Sequence, residues 1–245
     1  MYFVANWKMF GNSKSVNSIK NVINLTKISK YKKAKIIYCP PYTIIDNFVK
    51  KTKNSKINVG AQDCHYEQNF GAYTGSINAK MIKELGANYI ILGHSESRMS
   101  GDTNQKINLK IKSSLRENLK IIFCFGETFL ERKNKKTYQI INKQIKSALK
   151  NVKVLKNIIF AYEPVWSIGT GKVLKTKELN KQIFNIKKHI VKNLKIKNPI
   201  ILYGGSVNPK NIKSLIEIKS LGGFLIGGAS QNPKKFIDII KKSIN

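Results

Sequence analysis

Acidic residues are scarce in this chain: 13 aspartates and glutamates stand against 45 lysines and arginines in 245 residues, a formal net charge of +32. With so few acids, the position of each one carries information. Arginine is also scarce, with Arg98, Arg116 and Arg132 the only three. Proteins that read nucleic acid lean on arginine for bidentate contacts, and here the lysines are spread along the chain instead of gathered in one patch. Lys, Asn and Ile are plentiful together, as coding sequence poor in G and C would give. The charge therefore reads as drift in base composition, and no nucleic-acid partner is expected. The three cysteines, Cys39, Cys64 and Cys124, are odd in number and widely spaced, which fits neither a disulfide framework nor a zinc pattern. His65, His94 and His189 lie far apart, so no metal site is expected either. No apolar run approaches the ~20 residues of a membrane span. The start, MYFVANWK, enters a strand pattern without a charged leader, so the expectation is a cytoplasmic protein with no membrane partner.

What is there repeats. Eight short apolar, often β-branched runs begin near Tyr2, Ile36, Ile57, Tyr89, Ile121, Ile158, Ile200 and Phe224. Helical periodicity fills most of the gaps. Tyr138, Ile141, Ile145, Leu149 and Val152 step by three and four, and so do Leu179, Ile183, Ile186, Ile190 and Leu194. Asn208 before Pro209 and Asn232 before Pro233 read as helix starts. Eight strand–helix alternations without a polar linker predict one α/β domain over residues 1–245, a (β/α)8 barrel; a doubly wound sheet is the competitor. The stretch Asp63 to Ala79, rich in small and polar residues, predicts a projecting loop.

Active sites of such barrels lie at the C-terminal ends of the strands, so the polar residues there are read together. Asn6 and Lys8 follow the first run, His94, Ser95 and Glu96 the fourth, Glu163 the sixth, Ser206 the seventh, and Gly227 with Gly228 the eighth. One carboxylate, one imidazole, one ammonium and a glycine-rich anion site on one face suit proton abstraction beside a carbonyl on a small phosphorylated substrate. The string AYEPVWSIGTGK, Ala161 to Lys172, delivers Glu163 to a strand end, stops the strand at Pro164 and continues into a segment with Gly169 and Gly171. It reads as a fixed base beside a hinged lid.

That string resembles the triosephosphate isomerase family, as do ANWKM (Ala5–Met9), GHSESR (Gly93–Arg98), CFGET (Cys124–Thr128), YGGSV (Tyr203–Val207) and LIGGAS (Leu225–Ser230). The resemblance implies a cofactor-independent, metal-free aldose–ketose isomerase of a triose phosphate, acting in glycolysis and gluconeogenesis as a homodimer. By it, Glu163 is the base, His94 the electrophile, and Lys8 a stabiliser of negative charge. Asn6 orients substrate, and Ser206, Gly227, Gly228 and Gly169 hold the phosphate. Glu96 and Cys124 support these groups from behind, and Thr74 reaches toward a neighbouring subunit. Four of the 13 acids, Glu96, Glu127, Glu131 and Glu163, fall inside or beside these strings. Some positions depart from the family pattern. Ser76 and Ser97 stand where the family has a glutamate and an arginine paired between subunits, Gly222 where it has an aspartate, and Ser167 where the lid has an alanine.

Overall fold

A computed structural model describes residues 1–171 and 173–244; Lys172, the last residue of the AYEPVWSIGTGK string, and Asn245 lie outside the described residues. The strands are β1 (Tyr2–Asn6), β2 (Lys35–Cys39), β3 (Asn58–Ala61), β4 (Tyr89–Leu92), β5 (Lys120–Phe125), β6 (Ile158–Tyr162), β7 (Ile201–Tyr203) and β8 (Gly223–Ile226). Each begins within one residue of its apolar run. They pair in sequence order, all parallel, and β8 pairs back onto β1. The ring is closed, which rules out the open doubly wound sheet.

Alternation along the strands makes two separate packings. Val4, Ile37, Cys39, Tyr89, Ile91, Ile122, Cys124, Ile159, Ala161, Leu202 and Leu225 pack together inside the ring. Their neighbours, such as Phe3, Ile36, Phe123 and Phe160, belong to the larger layer beneath the helices. All three cysteines are buried and free. Burial holds their thiols well above the ordinary range, that of Cys64 pushed up to about 12.

The connections carry α1 (Lys20–Lys27), α2 (Ile45–Thr52), α3 (Ala79–Glu84), α4 (Ser95–Met99), α5 (Asn104–Arg116), α6 (Phe129–Lys133), α7 (Thr137–Ala148), α8 (Thr176–Leu194), α9 (Ile212–Ile216) and α10 (Pro233–Ser243). Helix α8 buries Leu179, Ile183, Ile186 and Ile190, as its periodicity predicts. Helix α7 ends sooner than its stripe: Leu149 is its C-cap, and Asn151 takes a left-handed φ of 59° that turns the chain away. Val152 still packs on the core, but from a turn. Asn232 caps α10 by accepting the Lys235 amide at 3.1 Å, with Pro233 at the first position. Asn208 behaves differently. Its Oδ1 accepts the amides of Lys210 and Asn211 at 2.9 and 3.2 Å, closing a turn that precedes α9 rather than starting it.

Residues 63–78 form the expected loop, exposed from Asn69 to Ser76. Its base is closed by the His65 amide on the Ile77 carbonyl at 2.7 Å, and the His65 ring lies against Tyr66 and Tyr73, with centroids 4.4 and 4.7 Å apart. Ring closure rests on Gly222 and Gly223. The Tyr2 amide donates to the Gly222 carbonyl at 2.8 Å. A Cβ at 222 would stand 2.7 Å from a methyl of Ile200, so a side chain there, such as the family's aspartate, requires Ile200 to shift.

Gly223 has a φ of +153°, and a Cβ on it would stand 2.0 Å from the Tyr2 carbonyl oxygen. Gly223→Ala must therefore push β8 off β1. The expected loss is roughly 2–4 kcal/mol of unfolding free energy, read as a lower urea midpoint at unchanged slope. An alanine variant as stable as the parent would show that this seam is not tight.

Candidate active site

The same alternation aims the chemistry. Position 4 of β1 faces into the ring, so Asn6 does too; positions 159 and 161 of β6 face in, so Glu163, one step beyond the strand, follows them into the mouth. Asn6 is 5% exposed and Glu163 2%. A cavity of about 710 Å³ opens at the C-terminal ends of the strands. It is lined by all eight residues expected to act on or hold substrate: Asn6, Lys8, His94, Glu163, Gly169, Ser206, Gly227 and Gly228.

Lys8 sits in the left-handed region, φ 54°, a conformation unfavourable for a residue with a Cβ. Side chains from three elements hold it there. Its amide donates to Asn6 Oδ1 at 3.1 Å, its carbonyl accepts from Gln62 Nε2 at 2.9 Å, and the Trp7 carbonyl just before it accepts from Gln231 Nε2 at 3.0 Å. The ammonium thus points into the cavity, where Nζ meets Glu96 Oε1 at 2.6 Å. Glu96 is more than half exposed, so this pair orients the lysine more than it stabilises the fold.

His94 is the N-cap of α4, and its Nδ1 accepts the Glu96 amide at 3.2 Å. With that lone pair engaged, the ring carries its proton on Nε2. Nε2 faces the cavity and lies 3.4 Å from Glu163 Oε1. Burial raises the Glu163 carboxyl above its ordinary 4.5; His94, Lys8, a hydrogen bond from the Cys124 thiol and one from the Ser95 amide pull the other way. The Cys124 thiol thus lies against the Glu163 carboxyl. Thr74 does not approach the cavity: it is exposed at the tip of the 63–78 loop, away from its own chain's site.

The segment after Glu163 is tied at both ends. Buried Glu127 accepts from the Tyr162 hydroxyl at 3.1 Å and from Trp166 Nε1 at 3.3 Å. Arg132 on α6 reaches Glu127 at 3.4 Å with one nitrogen and Glu178 on α8 with the other, and its guanidinium lies 5.1 Å from the centre of the Trp166 ring. Between these ties, Gly169 and Gly171 have positive φ and stand in open space. Sequence reading missed Gln62, Gln231 and Tyr203, and the rim lysines Lys210 and Lys235. Neither an amide bonded to a distant carbonyl nor one lysine out of 42 leaves a local pattern.

Comparison with known proteins agrees with the motifs. The family model described as triosephosphate isomerase matches residues 1–243. The chain is 41% identical over 244 residues to the triosephosphate isomerase of Dictyoglomus thermophilum, covering 97% of each. It is 40% identical over 245 residues to that of Thermodesulfovibrio yellowstonii, covering 98% of each. The crystal structure of triosephosphate isomerase from Bartonella henselae superposes with a TM-score of 0.89 at 30% identity, covering 98% of both chains.

A buried carboxyl with a raised pKa has a thermodynamic signature. The folded state binds this proton more tightly than the unfolded chain does, so the contribution of Glu163 is fully present below 4.5 and is lost as pH rises through the higher folded value. Glu163→Gln should accordingly be more stable than the parent near about pH 7.5, with the difference shrinking toward zero at about pH 4. Thermal melts across that range check it. A variant less stable than the parent at neutral pH would contradict the assigned sign.

Proposed function

Since the chain belongs to the triosephosphate isomerase family, whose reaction interconverts dihydroxyacetone phosphate and D-glyceraldehyde 3-phosphate, we propose that it does so with Glu163 as the moving-proton base. It is an isomerase of that reaction, a step of glycolysis. The observation that carries the assignment is the 3.4 Å approach of Glu163 Oε1 to His94 Nε2 in the same cavity as Lys8. Glu163 takes a proton from the carbon beside the carbonyl, leaving an enediolate, and returns it to the neighbouring carbon. His94, with its proton on Nε2, donates to the oxygen on which charge develops, and Lys8 lowers the energy of that charge. Asn6 fixes both substrate and the Lys8 backbone. The phosphate occupies the far end of the cavity, against Ser206, Gly227 and Gly228, with Gly169 closing over it. Closure excludes water, which strengthens these interactions and protects the enediolate. Nothing in this sequence of steps calls for a metal or organic cofactor.

Two further readings belong to this proposal. One is cytoplasmic location. Among the described residues no helix is long and apolar enough to cross a membrane, which accords with it. The other is a homodimer. Met9 and Phe70, on the loops after β1 and β3, and Met99, at the end of α4, are exposed by 100, 58 and 82%; Tyr73 and, on α3, Met81 are exposed too. A second copy packing there would cover these side chains and bring Thr74 of each chain's loop to the other's Lys8–Glu96 pair. Ser76 is exposed on that loop and Ser97 is part-buried on α4.

Glu163→Gln should keep phosphate binding but lose about 10²–10⁴-fold or more in kcat, because an amide cannot accept the proton. A coupled assay of glyceraldehyde 3-phosphate isomerisation reads this directly, and near-parental turnover would overturn the role of Glu163. For assembly, Ser76→Glu or Ser97→Arg alone should weaken the dimer, since each buries a charge without a partner, and the double variant should recover the loss. Sedimentation across a dilution series, run beside the activity assay, measures both; a fully active monomer would refute the dimer.

A further inference from the structure

Ser167 ends the short 3-10 turn Val165–Ser167 just past Glu163 and is fully buried. Its Oγ lies 3.1 Å from the Tyr203 hydroxyl and accepts the Ser206 amide at 3.4 Å. Gly205 leaves the space for this meeting: a Cβ there would stand 2.2 Å from Tyr203 Oη and 2.7 Å from Ser167 Oγ. Tyr203 is fixed in turn, buried at the end of β7. Ser206 lines the cavity at the end assigned above to phosphate. The Ser206 N–H that a phosphate would recruit is therefore already directed at a neutral hydroxyl belonging to the segment that follows the base.

We propose that Ser167 is a positioning residue that competes with the substrate's phosphate for the Ser206 amide. The inference rests on the phosphate placement of the preceding section. In the ligand-free site the Ser167 hydroxyl, steadied by Tyr203, holds the N–H. An arriving phosphate takes it over, because an anionic acceptor makes a bond roughly twice as strong as a neutral one, and 3.4 Å is long for an N–H···O contact. The exchange makes one of the phosphate's bonds worth less than it would be from a free amide. It acts equally on substrate, product and transition state, since all three carry the same phosphate. It therefore sets affinity and release without touching the proton transfer. Ser167 would keep the site from holding its product too tightly.

The test uses inorganic phosphate as a competitive inhibitor of the full-length protein, with the parent, Ser167→Ala, Tyr203→Phe and the double variant. Removing one competing hydrogen bond of ordinary net strength should tighten phosphate by about 2–10-fold, with KM falling by the same factor and kcat unchanged or lower. Tyr203→Phe removes one hydrogen-bond contact of the Ser167 hydroxyl and leaves the hydroxyl itself in place, so it should tighten phosphate less, and the two changes should not add. A merely structural role gives the opposite sign: a lower melting temperature with weaker phosphate binding. If phosphate competes with substrate in the parent but Ser167→Ala binds it equally or more weakly, the competition is refuted and the isomerase reading stands. If phosphate does not compete even in the parent, its placement at Ser206 is wrong, and this inference falls with it.

Discussion

One carboxyl, that of Glu163, is kept out of water at the mouth of the barrel, and much of the mouth follows from accommodating it there. A fully buried charge is costly unless surrounded by partners. Glu163 has His94 beside it, the Lys8 ammonium in the same cavity, a thiol behind it and a backbone amide from the start of α4. Space is as restrictive as charge. A Cβ at position 126 would lie 1.8 Å from the Glu163 carbonyl oxygen, and one at 204 would lie 2.6 Å from its Cγ. The strands on either side of β6 thus give way to glycine where they pass the base. Burial raises the Glu163 carboxyl above its ordinary range, so keeping it ionised there at neutral pH works against folding, and the proposed role as base is what would make that cost useful.

Lys8 shows a second form of the same compromise. Left-handed backbone at a lysine is unfavourable, yet it lets the chain leave β1 and return the side chain over the cavity. Two glutamines from distant parts of the chain, Gln62 and Gln231, fasten the carbonyls of Lys8 and Trp7. They need never touch a substrate to matter. Their work is to make an unfavourable φ the lowest-energy choice available.

Residues whose roles follow from chain-local chemistry could be read in the sequence. The apolar runs marked the start of each strand to within a residue, and parity then carried Asn6 and Glu163 into the mouth. Asn232 with Pro233 started α10 because capping is decided within four residues. Asn208 with Pro209 carried the same signal, yet it closed only a turn, since Asn208 spent its side chain on the amides of Lys210 and Asn211. Val152 kept the period of α7 but not its helix, because a left-handed Asn151 intervened. What could not be read were contacts between residues far apart in the chain: the two glutamines, the ties from Arg132 to Glu127 and Glu178, and the meeting of Ser167 with Tyr203. Nothing near these residues in sequence announces the partner.

The two packings of the barrel, one inside the ring and one beneath the helices, also bear on how such a chain can change over generations. On α8, Leu179, Ile183, Ile186 and Ile190 stay in register underneath, while Lys177, Lys181, Lys188 and Lys192 occupy the exposed side. Those lysines lie on the side of α8 turned away from the packed layer. Substitutions on that exposed side can therefore alter the charge of the exterior while leaving both packings in place.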